Sequence, residues 1–312
     1  MTGRTSTTRR TFLLAGLTAG VTAGLTVAGL DVPAAAACGA VSLTAGPFRV
    51  TALLDANGPF FLPAGEAFTG ATDQDWAAAR RLDPGAFGPD DTWWLDFRCF
   101  AIHLPGGGVA LVDSGVGPAG SPAQSWAPVP GHLLERLAAA GIDRAEVRLV
   151  VLTHLHEDHF GWSVSPRGVP YFPNARYLVS RAEIVALEQA GDELVLSYVV
   201  DPLRATGQLD TVDGPTRIAG GPGGTVSTLP TPGHTPGHQS VVVRGARRQV
   251  VITGDVLVHA VQLVDPAVGY RFEDDPDLAR RTRQDLLADA AGRPTWLATA
   301  HLTTPFVPVS SS

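Results

Sequence analysis

The chain of 312 residues contains no lysine; all 23 basic residues are arginine. Schiff-base chemistry through a lysine amine is therefore excluded. Cysteine is nearly absent too, with only Cys38 and Cys99, so a cysteine-rich metal site is ruled out. Methionine occurs once, as Met1. The formal charge is −7 and no extended basic tract is present, which argues against a nucleic-acid partner. No internal repeat of solenoid period is visible.

What is present begins with an export pattern. Thr8-Arg9-Arg10-Thr11-Phe12-Leu13-Leu14 sets paired arginines before an apolar Ala/Gly/Thr/Leu/Val run to Leu30, and Pro33-Ala34-Ala35-Ala36-Ala37 follows. These are the charged, apolar and small-residue regions of a cleavable signal. The twin arginines point to the twin-arginine translocase as a partner during export, to a secreted or cell-envelope destination. Residues 1–37 are read as the signal and 38–312 as one domain; removing 1–37 takes away three arginines and one aspartate and leaves a charge of −9. In an exported protein Cys38 and Cys99 can pair if cleavage falls before Cys38. Otherwise Cys99, between Arg98 and Phe100 in a strand-like run, reads as a buried thiol.

Strands and helices alternate along the remaining chain, with a change of half near residue 200. Residues 40–55 and 92–113 read as strands, the latter broken at Gly106-Gly107-Gly108. Residues 131–141 form an amphipathic helix. Ser180-Arg181-Ala182-Glu183 has the spacing of a capping box opening a helix to Gly191, and Pro276 to Ala291 is a third helix. Gly220-Gly221-Pro222-Gly223-Gly224 reads as a hairpin turn, because no helix follows it to make a phosphate loop.

The densest chemistry lies in Thr153-His154-Leu155-His156-Glu157-Asp158-His159, directly after the apolar run Leu149-Val150-Val151-Leu152. Imidazoles two apart at a strand exit can converge on one ion, while Asp158 and His159, beyond the bend, can serve a second. Further candidates stand at the ends of later apolar runs: His234 in Thr231-Pro232-Gly233-His234-Thr235-Pro236-Gly237-His238, Asp255 after Val250-Val251-Ile252-Thr253-Gly254, and His301 after Trp296-Leu297-Ala298-Thr299-Ala300.

In order, these segments resemble the H-x-H-x-D-H, T-P-G-H-T-x-G-H, G-D and C-terminal His motifs of the metallo-β-lactamase superfamily, over roughly residues 45 to 305. The resemblance implies a mixed α/β (α+β) fold, a four-layer αββα sandwich. It implies His154, His156 and His234 on one metal ion, Asp158, His159 and His301 on another, and Asp255 between them, with Asp158 or Asp255 shuttling the proton. Val109-Ala110-Leu111-Val112-Asp113-Ser114-Gly115 resembles the family's L-V-D-x-G motif. By that analogy Asp113 is not a ligand but accepts a hydrogen bond from a metal-bound imidazole. His238 is structural by the same analogy. Nitrogen and oxygen ligands without thiolate suit two Zn²⁺ ions, with Mn²⁺, Fe²⁺ or Co²⁺ as alternatives. Two such ions imply hydrolysis by attack of a metal-bound hydroxide on a small ester, lactone or phosphotriester.

The segment around His234 resembles N-acyl homoserine lactone lactonases, which makes quorum-quenching lactonase the alternative. Those enzymes place a Tyr three residues after the bridging Asp, where this chain has Val258. The segment from Gly254 to Leu263 is more similar to methyl parathion hydrolase and its exported relatives, whose pockets are lined by aromatic rings. Candidate pocket residues are Trp126, Trp162, Phe60, Phe61 and His259, while Trp93 and Trp94 fit a strand core. The rival from another class is a catalytically silent metal-binding protein that kept the fold, which the complete ligand set opposes. Oligomeric state is left open, a homodimer included.

Overall fold

A computed structural model describes residues 40–309. The signal assigned to residues 1–37, and Cys38, lie outside the described residues; Cys99 is buried with a free thiol. Two sheets form the body. In one the strand order is Ser42–Ala45, Phe48–Pro59, Trp94–His103, Val109–Val112, Val147–Val151, Arg176–Ser180 and Leu209–Val212. In the other it is Phe306–Val309, Thr295–Ala298, Gln249–Ile252, Gln239–Gly245, Gly224–Pro230 and Arg217–Gly221. The hairpins pair antiparallel, whereas Val109–Val112, Val147–Val151, Arg176–Ser180 and Leu209–Val212 run parallel to one another, as do Gln249–Ile252 and Thr295–Ala298.

Period-two alternation sorts each strand into two layers. From Trp94–His103, Phe100 and Ile102 turn inward and meet Val241, Val243, Val250 and Ile252 of the second sheet, making the dry seam between sheets. Their neighbours Cys99 and Ala101 turn outward and pack under Leu133 and Leu137 of the helix Leu133–Ala139 and Ile184 of the helix Arg181–Ala190. On the far side, Val251, Leu297 and Val307 are covered by Leu286, Leu287 and Ala290 of the helix Pro276–Ala291. The four-layer αββα sandwich is thus in place. Among the described residues no helix is long and apolar enough to cross a membrane.

Three local expectations change. The strand expected over 40–55 is split by a tight turn: Gly46 has φ +60°, and a Cβ there would lie 2.5 Å from the Gly223 carbonyl oxygen. The change of half comes later than residue 200, because Leu209–Val212 still pairs with Arg176–Ser180 and the second sheet starts at Arg217. Ser180 does stand at the N-cap, but its side chain caps nothing and Glu183 does not reach back to it. Glu183 is buried and turned toward the strand ends, with consequences for the site.

Candidate metal centre

Every candidate ligand sits just past the end of a strand, on the same edge of the sandwich. Val147–Val151 delivers His154 and His156, then a single helical turn, Glu157–Phe160, carries Asp158 and His159. Gly224–Pro230 leads to His234, Gln249–Ile252 to Asp255, and Thr295–Ala298 to His301. The chain folds this way because an apolar strand runs until its backbone partners end, and the loop beyond is free to turn side chains inward.

The seven side chains converge. His156 Nδ1 lies 3.0 Å from both His154 Nε2 and His234 Nε2. His159 Nε2 is 3.3 Å from Asp158 Oδ2, and His301 Nε2 is 3.5 Å from the same oxygen. Asp255 faces both groups: Oδ1 lies 3.1 Å from His301 Nε2 and 3.3 Å from His159 Nε2, and Oδ2 lies 3.4 Å from His234 Nε2. Three overlapping sets of donor atoms, each within 4.8 Å, could hold metal ions: His154 with His156 and His234, His154 with His159 and Asp255, and Asp158 with His159 and His301.

Burial sets up opposite electrostatics in the two groups. Burial, reinforced by neighbouring imidazoles, holds His154 and His234 well below the ordinary histidine value. Burial acts the same way on His159 and His301, but the carboxylates of Asp158 and Asp255, joined at His159 by Asp113, outweigh it and raise both rings. Asp255 in turn is held well below the carboxylate range, because the rings of His301, His159 and His234 overcome its burial. His159 Nε2 and Asp255 Oδ1 are buried without a hydrogen-bond partner among the described residues. Buried polar atoms left unpaired are costly, and a cation among them removes the cost. The donor set therefore fits divalent ions.

Outer contacts aim the rings of His159 and His301, whereas His234 Nδ1 is buried without a partner among the described residues. Asp113, at φ +59° after Val109–Val112, accepts from His159 Nδ1 at 2.9 Å, from Thr153 N at 2.8 Å and from Thr153 Oγ1 at 3.0 Å. His301 Nδ1 donates to the Asp96 carbonyl at 2.9 Å, which leaves Nε2 for the centre. The buried Arg98, ion-paired with Asp96, donates to the carbonyls of Thr299 and Leu302 and so fixes the His301 loop from below. His238 turns away from the ligands: Nε2 accepts from the Asp255 backbone N–H at 2.9 Å, which puts its proton on Nδ1 facing the Thr231 carbonyl at 3.1 Å. Burial pushes its ring down to about 4.

Glu183 is a residue of the floor that sequence reasoning missed. Its carboxylate accepts from Leu155 N at 3.0 Å, Thr235 Oγ1 at 2.7 Å and Gly237 N at 3.0 Å, joining the loop of His154 and His156 to the loop of His234. Its spacing after Ser180 imitates a cap, so the local signal pointed elsewhere.

Above this floor opens a cavity of about 520 Å³. Phe60, Phe61 and Trp126 line it, as expected, and so do Trp93, Tyr270 and Phe272. Phe60 is the hub: its ring centroid is 4.5 Å from Trp93, 4.2 Å from Phe61 and 5.9 Å from Trp126. Two expected pocket residues are not among its walls. The Trp162 indole donates to buried Asp55 at 3.0 Å, a carboxylate that also accepts from Val116 N and Leu133 N and is raised by burial to about 6. His259 is packed behind the wall against Phe68, Trp76, Phe87 and Trp93, its Nδ1 accepting from Val261 N at 3.0 Å, and burial drives its ring down to about 3. Tyr270 and Phe272 were missed, although the alternation Tyr270-Arg271-Phe272 puts two rings on one face.

A family model described as the metallo-beta-lactamase superfamily matches residues 98–301, more than half of the chain. The chain belongs to that superfamily. N-acyl homoserine lactonase AttM of Rhizobium radiobacter is 35% identical over 116 residues, 36% of this chain and 41% of that protein. AttM of Azorhizobium caulinodans is 38% identical over 114 residues, 35% of this chain and 40% of that protein. The chain spans about two fifths of the length of these curated relatives. Among solved structures, the hydrolase AbOPH of the beta lactamase superfamily superposes with a TM-score of 0.69 at 24% identity, covering 87% of this chain and 97% of that one. AidC, a dizinc quorum-quenching lactonase, gives a TM-score of 0.69 at 18% identity, covering 88% and 98%. Both structures share the superfamily fold with this chain.

Proposed function

We propose that this protein is an exported, metal-dependent hydrolase of small, uncharged, partly apolar esters: carboxylic esters, lactones or phosphotriesters. The observation that carries this reading is a cluster of seven His and Asp side chains, five of which (His156, Asp158, His234, Asp255 and His301) line an aromatic cavity with no arginine on its walls, in a chain without lysine. Beyond the ions themselves, an anionic substrate would find no arginine or lysine on the cavity wall to replace its water. A neutral ester with an apolar arm gains from burial against the rings.

His154, His156 and His234 would hold one ion, Asp158, His159 and His301 the other, with Asp255 shared; nitrogen and oxygen donors favour zinc. Bound ions would polarise the substrate oxygen and lower the pKa of bound water toward about 7. Asp158 Oδ2 and Asp255 Oδ1, each within 3.5 Å of His301 Nε2, are the oxygens able to take and return a proton. Phe60, Trp93 and Trp126 exclude water from the substrate arm.

The similarity to proteins named N-acyl homoserine lactonases favours lactones within this class. Zinc-reconstituted protein should be assayed side by side with aryl esters, acyl homoserine lactones and phosphotriesters, and with a β-lactam and a phosphodiester as anionic controls. Turnover of the neutral substrates and not of the anionic ones is expected; turnover of none would leave the silent-protein reading. Export is tested separately: Arg9→Lys with Arg10→Lys keeps the charge and should strand the precursor inside the cell.

A further inference from the structure

Among the rings that line the cavity, Tyr270 alone carries a hydroxyl; the Trp93 indole N–H on the same wall is buried without a partner among the described residues. Its ring lies nearly parallel to that of His234, centroids 6.1 Å apart and planes at 12°, on the wall of the cavity. The residue is 7% exposed, and its hydroxyl, which makes no hydrogen bond among the described residues, is not one of the polar atoms sealed away from solvent. A phenol that water can reach and that no protein group engages is free to donate to a ligand seated in the cavity. Ser125 is the other neutral hydroxyl on the walls, and it faces the Pro122 carbonyl at 3.5 Å. Val258, also on the wall, can donate nothing.

The backbone around Tyr270 is tied down more heavily than packing of a ring requires. Tyr270 pairs with Phe68 in a two-stranded ladder, and its N–H donates to Glu273 Oε2 at 3.2 Å. Glu273 Oε1 is in turn ion-paired at 2.8 Å with Arg283, both side chains at most 1% exposed. Arg283 also donates to the carbonyls of Val256, Pro266 and Val268. A fully buried ion pair contributes little net stability, but it fixes geometry. Here it locks the loop of Tyr270 to the segment that follows Asp255.

We propose that Tyr270 is a substrate-binding residue whose phenol donates a hydrogen bond to the carbonyl oxygen of a neutral lactone or ester seated against the metal centre. This rests on the hydrolase reading above. Tyr270 thereby supplies, from another loop, the donor that Val258 does not, and lactones with poor leaving groups come within reach. The bond strengthens as negative charge builds on that oxygen, so dependence on Tyr270 should rise as the leaving group becomes poorer.

Tyr270→Phe removes the hydroxyl and keeps the ring. Two quantities should be measured on full-length zinc-reconstituted protein: the Kd for N-hexanoyl homoserine lactam, a hydrolysis-resistant probe followed by calorimetry, and kcat/KM for the matching lactone and for p-nitrophenyl hexanoate. Metal content and Tm should match those of the parent. The Kd should rise about fivefold or more, as for loss of one hydrogen bond. Lactone kcat/KM should fall about a hundredfold and p-nitrophenyl ester kcat/KM by less than about threefold. A variant that binds the lactam within twofold of the parent overturns the proposal, as does a parent that does not bind it at millimolar concentration. A parent that binds the lactam, more tightly than the variant, but hydrolyses no substrate refutes the hydrolase reading and leaves Tyr270 as a binding residue.

Discussion

The floor and the wall of the cavity are held by different forces. On the floor, side chains and loops are fixed by directional contacts from elsewhere in the chain: Asp113 on His159, the Asp96 carbonyl on His301, Glu183 between the His154 and His234 loops. The wall is held by ring packing, Phe60 against Trp93, Phe61 and Trp126, with few polar ties. Directional contacts fail abruptly when one partner is removed, because the group left behind stays buried and unpaired. Ring packing degrades in steps and leaves the chemistry standing. Changes on the floor should therefore strike metal binding and kcat, and changes in the ring packing of Phe60, Phe61, Trp93 and Trp126 should strike KM; Tyr270, whose hydroxyl is proposed to meet the reacting carbonyl, is the exception on the wall.

The largest effect should follow from Asp255→Ala, whose carboxylate faces both donor groups. We expect loss of one metal equivalent and of roughly three orders of magnitude in kcat, on the scale of removing one member of a catalytic unit. His238→Ala, which removes only a partner of the Asp255 backbone, should keep the metal stoichiometry; identical behaviour of the two variants would erase the distinction between ligand and supporting histidine. Next come the supports. Asp113→Ala and Glu183→Gln should each weaken metal affinity by about ten- to a hundredfold, measured by chelator competition. Asp113→Ala should act on the ion held by His159 and Glu183→Gln on the ion held by His154, His156 and His234. On the wall, Trp126→Ala should raise KM for an aryl ester about fivefold with kcat little changed, since stacking binds ground and transition states alike. A fall in kcat instead would place Trp126 with the floor.

The smallest effect concerns the back of the wall. His259 is held near 3 by burial, below its unfolded value of about 6.5. A depressed folded value contributes stability above about pH 6.5 that is lost as pH falls toward 3. His259→Gln, neutral throughout, should be less stable than the parent at pH 7.5 but should close that gap at pH 4.5, read as urea midpoints. A gap that does not change with pH would remove His259 as a titrating group.

The floor was legible in the sequence because each candidate ligand follows an apolar run, so strand reading and motif resemblance point to the same residues. The αββα layering was legible only through the family resemblance that those motifs carry. The wall was less so. Phe60 and Phe61, Trp93, Trp126, Tyr270 and Phe272 come from separate segments whose convergence is purely tertiary. Trp162 and His259 have the right neighbours in sequence, but Asp55 draws the first inward and four rings enclose the second. Glu183 was misread because its true partners lie 28 to 54 residues away in the chain, beyond any local pattern.

The central claim is that seven convergent side chains form one site for two ions, and elemental analysis of protein reconstituted with excess zinc and then desalted tests it most directly. The account predicts close to two equivalents per chain in the parent and close to one in Asp255→Ala. A parent that retains at most one equivalent, or an Asp255→Ala variant that retains two, would contradict it.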